Sequence, residues 1–289
     1  MKLENHVALI TGAGRGIGRA IATAFAREGA DLALVARTTS ELDEAAQMIR
    51  AAGHRVVAIT ADVSQCKDVE RAVGQALEIF GRVDVLVNNA GVQPPIGPLA
   101  QNDPDEWMRA VAVNLFGPML CIKAVLPGMM EHQRGKIVNL SGGGATGPRP
   151  NFSAYAVSKA ALVRLTETLA VELAPYNIQV NALAPGAINT RMLEQVLAAG
   201  ERAGAELAPA QRRAQSGGTP VELAAHLAVF LASADSDGLT GKLIAAPHDD
   251  WQTWDAARIA ALNDSPWYTL RRMDPFTVKP LVSKLIKGG

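Results

Sequence analysis

Short apolar, β-branched runs alternate along the chain with longer amphipathic ones, the pattern of repeated βα units around a parallel sheet. It predicts strands at 6–10, 31–35, 55–60, 83–87, 135–140, 178–183 and 242–245, with helices at 17–28, 40–52, 67–80, 104–130, 153–174 and 220–232. Right-handed crossovers place those helices on both faces of the sheet, giving a doubly wound α/β domain over residues 1–245. Two segments interrupt the alternation. Residues 188–219 are rich in Ala and Arg and read as a lid over a site, because long connections in compact domains often serve as lids. The extension 246–289 holds three of the four tryptophans.

Composition narrows the picture. With 289 residues, 48% hydrophobic and 19% charged, the chain can bury one large core. Lys plus Arg and Asp plus Glu both total 28, so no net field draws it to nucleic acid or an anionic membrane surface. Small molecules and copies of the same chain are the partners to expect. The start, Met1-Lys-Leu-Glu-Asn-His6, lacks the features of a signal peptide, and the apolar segments read as too short or too interrupted to span a bilayer. Cys66 and Cys121 lie in helical patterns without metal-ligand spacing, which reads as buried reduced thiols in a cytosolic protein.

The first strand is followed by Thr11-Gly-Ala-Gly-Arg-Gly-Ile-Gly18 and then a helix. Gly12, Gly14, Gly16 and Gly18 allow a tight turn and close backbone approach, and a helix N-terminus offers free N–H groups and partial positive charge to a pyrophosphate. Arg15 and Ile17 belong to the same loop, so a bound dinucleotide is expected.

The spacing of Gly12, Gly16 and Gly18 resembles that of the short-chain dehydrogenase/reductase family, whose fold is the seven-stranded Rossmann sheet. Further motifs carry the resemblance from about residue 5 to 245. Asp62-Val63 is similar to the family's adenine contact, and Asn88-Asn89-Ala90-Gly91 to its cofactor-supporting turn. Asn114 stands where the family has a helix-borne catalytic asparagine that holds a water in a proton relay. Tyr155-Ala-Val-Ser-Lys159 resembles the active-site motif, and Pro185-Gly186-Ala-Ile188-Asn-Thr190 the segment that holds the nicotinamide carboxamide. The resemblance also implies that Lys159 bonds the nicotinamide ribose, and that the chain forms a homodimer or homotetramer on the helices carrying Asn114 and Tyr155.

At the end of the second strand, where NAD-binding folds place an acidic residue, stands Ala36, followed by Arg37, Thr38, Thr39 and Ser40. A cation and hydroxyls suit a 2′-phosphate, Arg15 adds a second cation, and no acidic alternative is apparent in the sequence beside them. NADP(H) is therefore the expected cofactor. Tyr155 and Lys159 are one helical turn apart and can approach a common point. Tyr155 is the expected acid/base, donating a proton to a carbonyl oxygen in reduction and removing one from a hydroxyl in oxidation. The family's substrate-orienting serine is less directly matched: counting back from Tyr155 lands on Gly142, with Ser141 one residue earlier. A one-residue shift along a strand reverses a side chain, while the glycines that follow could re-aim it. Ser141 is carried as the catalytic candidate, with Thr146 and Ser153 as substitutes.

The lid's Arg191, Arg202, Arg212 and Arg213 read first as a solvated face, and only second as a greeting for an anionic substrate. In the tail, Trp251, Trp254, Trp267 and Tyr268 read as subunit packing first and a pocket wall second. His248, Asp249 and Asp250 are adjacent and read as turn residues rather than metal ligands. Residues 278–289 read as a basic, loosely held end without function. The leading expectation is an NADP(H)-dependent ketone reductase or secondary alcohol dehydrogenase. Alternatives are a catalytically silent dinucleotide sensor or scaffold, an NAD-dependent sugar or polyol dehydrogenase, and an epimerase or dehydratase acting on a nucleotide-linked sugar. Tyr155, Lys159 and Asn114 argue against a sensor, and the glycine spacing against an epimerase.

Overall fold

The computed structural model describes residues 1–272. Seven strands form one parallel sheet in the order β3-β2-β1-β4-β5-β6-β7. They are β1 (Val7–Thr11), β2 (Asp31–Ala36), β3 (Val56–Thr60), β4 (Val85–Asn88), β5 (Gly135–Leu140), β6 (Ile178–Ala184) and β7 (Leu243–Ala245). Strands β1, β4 and β5 are buried along their whole length, as a sheet covered on both faces requires.

Helices α1 (Gly16–Arg27), α2 (Thr39–Ala51) and α9 (Val221–Ala232) cover one face, where Ile21, Phe25, Leu42 and Leu227 join the strand residues in one core. Helices α3 (Cys66–Phe80), α5 (Gly117–Glu131) and α6 (Ser153–Glu172) cover the other through Val73, Ile122 and Ala170. The strand order reverses between β1 and β4, and ligands of such sheets bind outside the carboxyl ends of the strands at that crevice.

The structure departs from the sequence reading in four places. The expected helix at 104–130 is divided: α4 (Pro104–Val111) passes through a π-turn at Ala112–Phe116 before α5 begins. That whole run, Pro104–Glu131, is long and apolar enough to cross a membrane by length and composition, which corrects the expectation that none is. It is packed instead against α3 and α6, with 44% of its apolar window buried inside the protein. The segment expected to form a lid is helical rather than a loop: α7 (Arg191–Ala199) and α8 (Leu207–Ser216) flank a 3₁₀ stretch, Gly200–Glu206. Leu193, Val196, Ala203 and Ala210 supply the apolar side that packs on Phe152 and Tyr155. Cys66 is exposed, whereas Cys121 is buried and its thiol is pushed up to about 12 by desolvation.

The tail folds onto its own chain. Trp251 and Trp254 are buried beside Phe230, with ring centroids 5.6 and 6.5 Å away, while Trp267 stays exposed. Helix α10 (Ala256–Asn263) is capped by Asp255, and Tyr268 accepts through its backbone carbonyl from Leu243 N at the edge of β7. The end assigned to 278–289 lies outside the described residues.

Candidate active site

A cleft of roughly 1390 Å³ opens along the carboxyl ends of β1, β4, β5 and β6, large enough for a dinucleotide and a small substrate together. At its floor, Gly12 and Gly16 have φ of +65° and +52°, a conformation that favours glycine. A Cβ on Gly18 would collide with the Gly12 carbonyl oxygen, so α1 can start directly beneath the loop only with glycine there. No side chain caps α1 and no acidic residue lies in its first turn, leaving its N–H groups and dipole facing the cleft. Thr11 and Asn89 hold the loop. Thr11 Oγ1 accepts from the N–H groups of Asn89 and Ala90 at 3.1 Å each, and Asn89 Nδ2 donates to the Thr11 and Gly12 carbonyls. The loop thus has the form that a pyrophosphate requires.

At one end the cleft is lined by Ala36, Arg37, Thr38, Asp62 and Val63, where the adenosine contacts are expected. Arg37 pairs with Asp62 at 3.5 Å. Burial pushes the Asp62 carboxyl up, but hydrogen bonds from Ser64 and the Arg37 charge outweigh it and hold the group below its ordinary value. Arg15 reaches Glu41 in the first turn of α2, 2.7 Å away. Glu41 directly follows the Arg37–Ser40 run in sequence, so the expectation that no acidic group stands beside these cations is corrected: helix α2 turns its carboxylate to the same rim.

At the other end lie Pro185, Gly186, Ile188 and Thr190. Thr190 caps α7 through Met192 N, and its Cγ2 is 3.6 Å from where a Cβ on Gly16 would stand. The carboxamide-like segment and the phosphate loop therefore face each other across the cleft.

Tyr155, Lys159 and Asn114 converge between these ends. Tyr155 and Lys159 leave α6 on one face, with Lys159 Nζ 5.7 Å from the tyrosine ring centroid and donating to the Leu140 carbonyl at 2.7 Å. Burial lowers Lys159 to about 8. Burial also raises Tyr155, against an opposing pull from the Arg149 charge, so the phenol is protonated at neutral pH. Asn114 lies in the π-turn, a distortion frequent at functional sites. Its Nδ2 donates to the Val92 carbonyl at 2.8 Å and to Ser158 Oγ at 3.1 Å, and its Oδ1 accepts from Val92 N at 2.8 Å. One lone pair of that oxygen is left for a further partner. Gly91 joins the two groups: a Cβ there would be 3.2 Å from Asn114 Oδ1 and 3.7 Å from Lys159 Nζ.

The residue aimed at the Tyr155 hydroxyl is Gly142, where an added Cβ would collide with it. Ser141 is buried and its Oγ has no hydrogen-bond partner among the described residues. Of the substitutes, Ser153 accepts from Trp107 Nε1 at 3.0 Å, and Thr146 lines the cleft. Restoring a hydroxyl at the tyrosine by Gly142→Ser is thus expected to displace Tyr155 and lower turnover about tenfold, the penalty of a misplaced acid. Steady-state kinetics of the variant check this, and a gain in turnover would disprove the steric reading.

A family profile described as short chain dehydrogenase matches residues 6–200. The chain belongs to the short-chain dehydrogenase family. An uncharacterised oxidoreductase of Mycobacterium tuberculosis is 41% identical over 245 residues, covering 84% of this chain and 91% of that protein. An NAD⁺-bound xylitol dehydrogenase superposes with a TM-score of 0.79 at 32% identity, over 85% of this chain and 98% of that one. A levodione reductase also gives 0.79, at 31% identity over 87% of this chain and all of that one. This short-chain dehydrogenase is accordingly an oxidoreductase, of a family that works with a nicotinamide cofactor on small molecules.

Glu41 and Glu206 carry no motif and were not singled out from sequence, whereas Thr11 and Ser158 stand inside the glycine-loop and Tyr155–Lys159 motifs, and Gln93 and Arg149 lie in segments (93–98 and 142–152) expected to wall the substrate pocket. Arg149 offered a signal, a lone basic residue in the Gly- and Pro-rich connection leading to Tyr155.

Proposed function

We propose that this short-chain dehydrogenase is an NADP(H)-dependent ketone reductase or secondary alcohol dehydrogenase, with Tyr155 as its acid/base. The observation that carries the reading is the meeting of Tyr155, Lys159 and Asn114 in the same cleft as the glycine loop and the uncapped N-terminus of α1. Gly12, Gly14, Gly16, Ile17, Gly18 and the N-terminus of α1 would hold the pyrophosphate. Arg15, Arg37 and Thr38 would hold the 2′-phosphate, Asp62 and Val63 the adenine side, and Asn89, Ala90, Gly91, Pro185, Gly186, Ile188 and Thr190 the nicotinamide side. When bound, the cofactor supplies or receives the hydride.

The chain's own contribution is proton chemistry and positioning. A buried, protonated Tyr155 donates to a carbonyl oxygen, and Lys159 and Asn114 connect it to a path for reprotonation. Gly142 rather than Ser141 stands at the Tyr155 hydroxyl, so the buried, unpartnered Ser141 Oγ would serve a substrate oxygen only after turning into the cleft that its residue lines. Since Lys159 loses its proton near about 8, the kcat/KM for carbonyl reduction should be level below that pH and fall above it. The sign follows from the folded value lying below the ordinary lysine value: the charged form dominates only on the acid side. A pH profile checks this, and Lys159→Arg should remove that falling limb at lower overall activity; a profile level to about pH 10, the ordinary lysine range, would contradict it.

A second reading, an NAD-dependent sugar or polyol dehydrogenase, is favoured by Glu41, whose carboxylate stands at the rim where a 2′-phosphate would bind. Exposed Phe116, Met119 and Val157 on α5, α6 and the π-turn support a homodimer or homotetramer, and the unpaired thiols suit the cytosol. Fluorescence titration with NADPH and NADH, followed by a carbonyl panel read as loss of nicotinamide absorbance, tests the reading. Preferential NADPH binding with ketone turnover supports it; NADH preference with polyol oxidation selects the second, and sedimentation of the same sample reads the assembly.

A further inference from the structure

Arg149 brings a guanidinium into the substrate side of the cleft, and proton transfer by Tyr155 gives it no task. Its side chain is only 13% exposed. Its Cζ lies 4.1 Å from the Phe152 ring centroid and 5.5 Å from that of Tyr155. On another side is Gly143, where an added Cβ would be 4.0 Å from Cζ, Nε and Nη1. Gly143 and the guanidinium thus lie side by side in the lining of the cleft.

A cation this buried is costly unless an anion accompanies it. The anion is Glu206, whose Oε2 is 3.0 Å from Nη2 and which belongs to the lid's 3₁₀ stretch. Gln93, in the amide orientation that satisfies both its ends, accepts from Nη1 and Nη2 at 3.0 and 3.2 Å and donates to the Met192 carbonyl at 3.0 Å. The guanidinium is thus fixed by Phe152 and Gln93, which are neutral, while its charge is balanced by a side chain that is 33% exposed and can turn to water. Five N–H donors in a planar fork are more than Glu206 and Gln93 use.

We propose that the cleft takes substrates bearing a carboxylate close to the reacting carbonyl, and that Arg149 binds that carboxylate in exchange for Glu206. The proposal rests on the reductase reading. The Tyr155 hydroxyl stands at Gly142 and the guanidinium at the neighbouring Gly143, its Cζ 5.5 Å from the tyrosine ring centroid, so an oxo acid only a few bonds long that paired with Arg149 would bring its carbonyl toward that hydroxyl. A carboxylate matches the fork bidentately; a neutral ketone or polyol cannot replace Glu206. With a reduced nicotinamide bound, the cofactor would supply a hydride with its electron pair to the carbonyl carbon, and Tyr155 would supply the proton to the oxygen. The product is a hydroxy acid with its carboxylate unchanged, beside the oxidised cofactor.

The test uses pyruvate, acetoacetate and levulinate, each with its methyl ester, in two readouts: NADPH oxidation, and calorimetric binding to the NADP⁺-saturated enzyme. At least one acid should exceed its ester in kcat/KM by about tenfold or more, the worth of a charge-assisted pair. Arg149→Gln should collapse that ratio and abolish calorimetric binding of the acid. Glu206→Gln removes the competing carboxylate and should lower KM for the acid, raising the ratio. This variant decides the matter if Arg149→Gln does not fold. If Arg149 and Glu206 form only a structural latch, Glu206→Gln will raise KM for acid and ester alike, and the proposal fails. It fails too if no acid binds or is preferred, whether or not esters turn over. Acid binding that depends on Arg149, without reduction of any carbonyl compound, would leave the anion site standing and remove the reductase reading alone.

Discussion

Tyr155→Phe should lower turnover by about a thousandfold or more while leaving NADPH affinity nearly unchanged, which is the scale for losing a positioned general acid. The substitution removes one oxygen and keeps the ring that packs with Ile96, Phe152 and Leu193 beneath the lid. Fold and lid should therefore survive. The groups expected to grip the cofactor stand elsewhere in the cleft, so fluorescence titration should give the same affinity for both proteins. Because burial keeps the phenol protonated and its hydroxyl is the nearest atom to the Cβ position of Gly142, the loss should be large in the reductive direction at neutral pH. Equal steady-state turnover of variant and parent would remove the proton-donor role, and a parallel loss of NADPH binding would show that the ring, not the hydroxyl, was essential.

What the sequence could carry and what it could not divide along physical lines. The sheet was legible because each strand is apolar and bounded by glycine or polar turns, and the cofactor side because Gly12, Gly16 and Gly18 are imposed by backbone geometry at one local turn. Tyr155 and Lys159 were readable as a pair for the same reason, being one turn apart on α6. Features that depend on distant partners were not. The Arg149–Glu206 pair spans 57 positions and the Arg15–Glu41 pair 26, so neither leaves a periodic trace. The π-turn at Ala112–Phe116 is invisible to a pattern that cannot distinguish one apolar helix from two joined by a wider turn. The lid was read as a loop, although Thr190 followed by Leu193, Val196 and Leu197 carries a cap and helical spacing. The tail aromatics were read as subunit packing first, whereas Trp251 and Trp254 are buried on Phe230 of α9 in their own chain and Trp267 is exposed; nothing in their spacing told which surface they cover.

Arg37→Asp should turn a preference for NADPH into one for NADH, with the ratio of the two affinities changing by more than about a hundredfold. Two effects act together. A charge-assisted contact with the 2′-phosphate is lost, and a carboxylate is placed where it repels that phosphate and can accept from the ribose hydroxyls of NADH. The change also leaves Asp62 without its cation, so the new Asp would stand beside an existing carboxylate now held by Ser64 alone. That strengthens the repulsion. Arg37 is half exposed, so salt should screen the effect, and the affinity ratio should shrink as ionic strength rises. Arg15 already has Glu41 at 2.7 Å and cannot compensate fully unless it gives up that partner. The companion change Glu41→Gln should accordingly strengthen NADPH binding in the parent and restore part of it in the Arg37→Asp variant. Titration of the four proteins with both cofactors measures all of these ratios. NADPH affinity that is the same with Arg37 and with Asp would show that the 2′-phosphate site lies elsewhere, and would pass the assignment to the NAD-dependent reading that Glu41 supports.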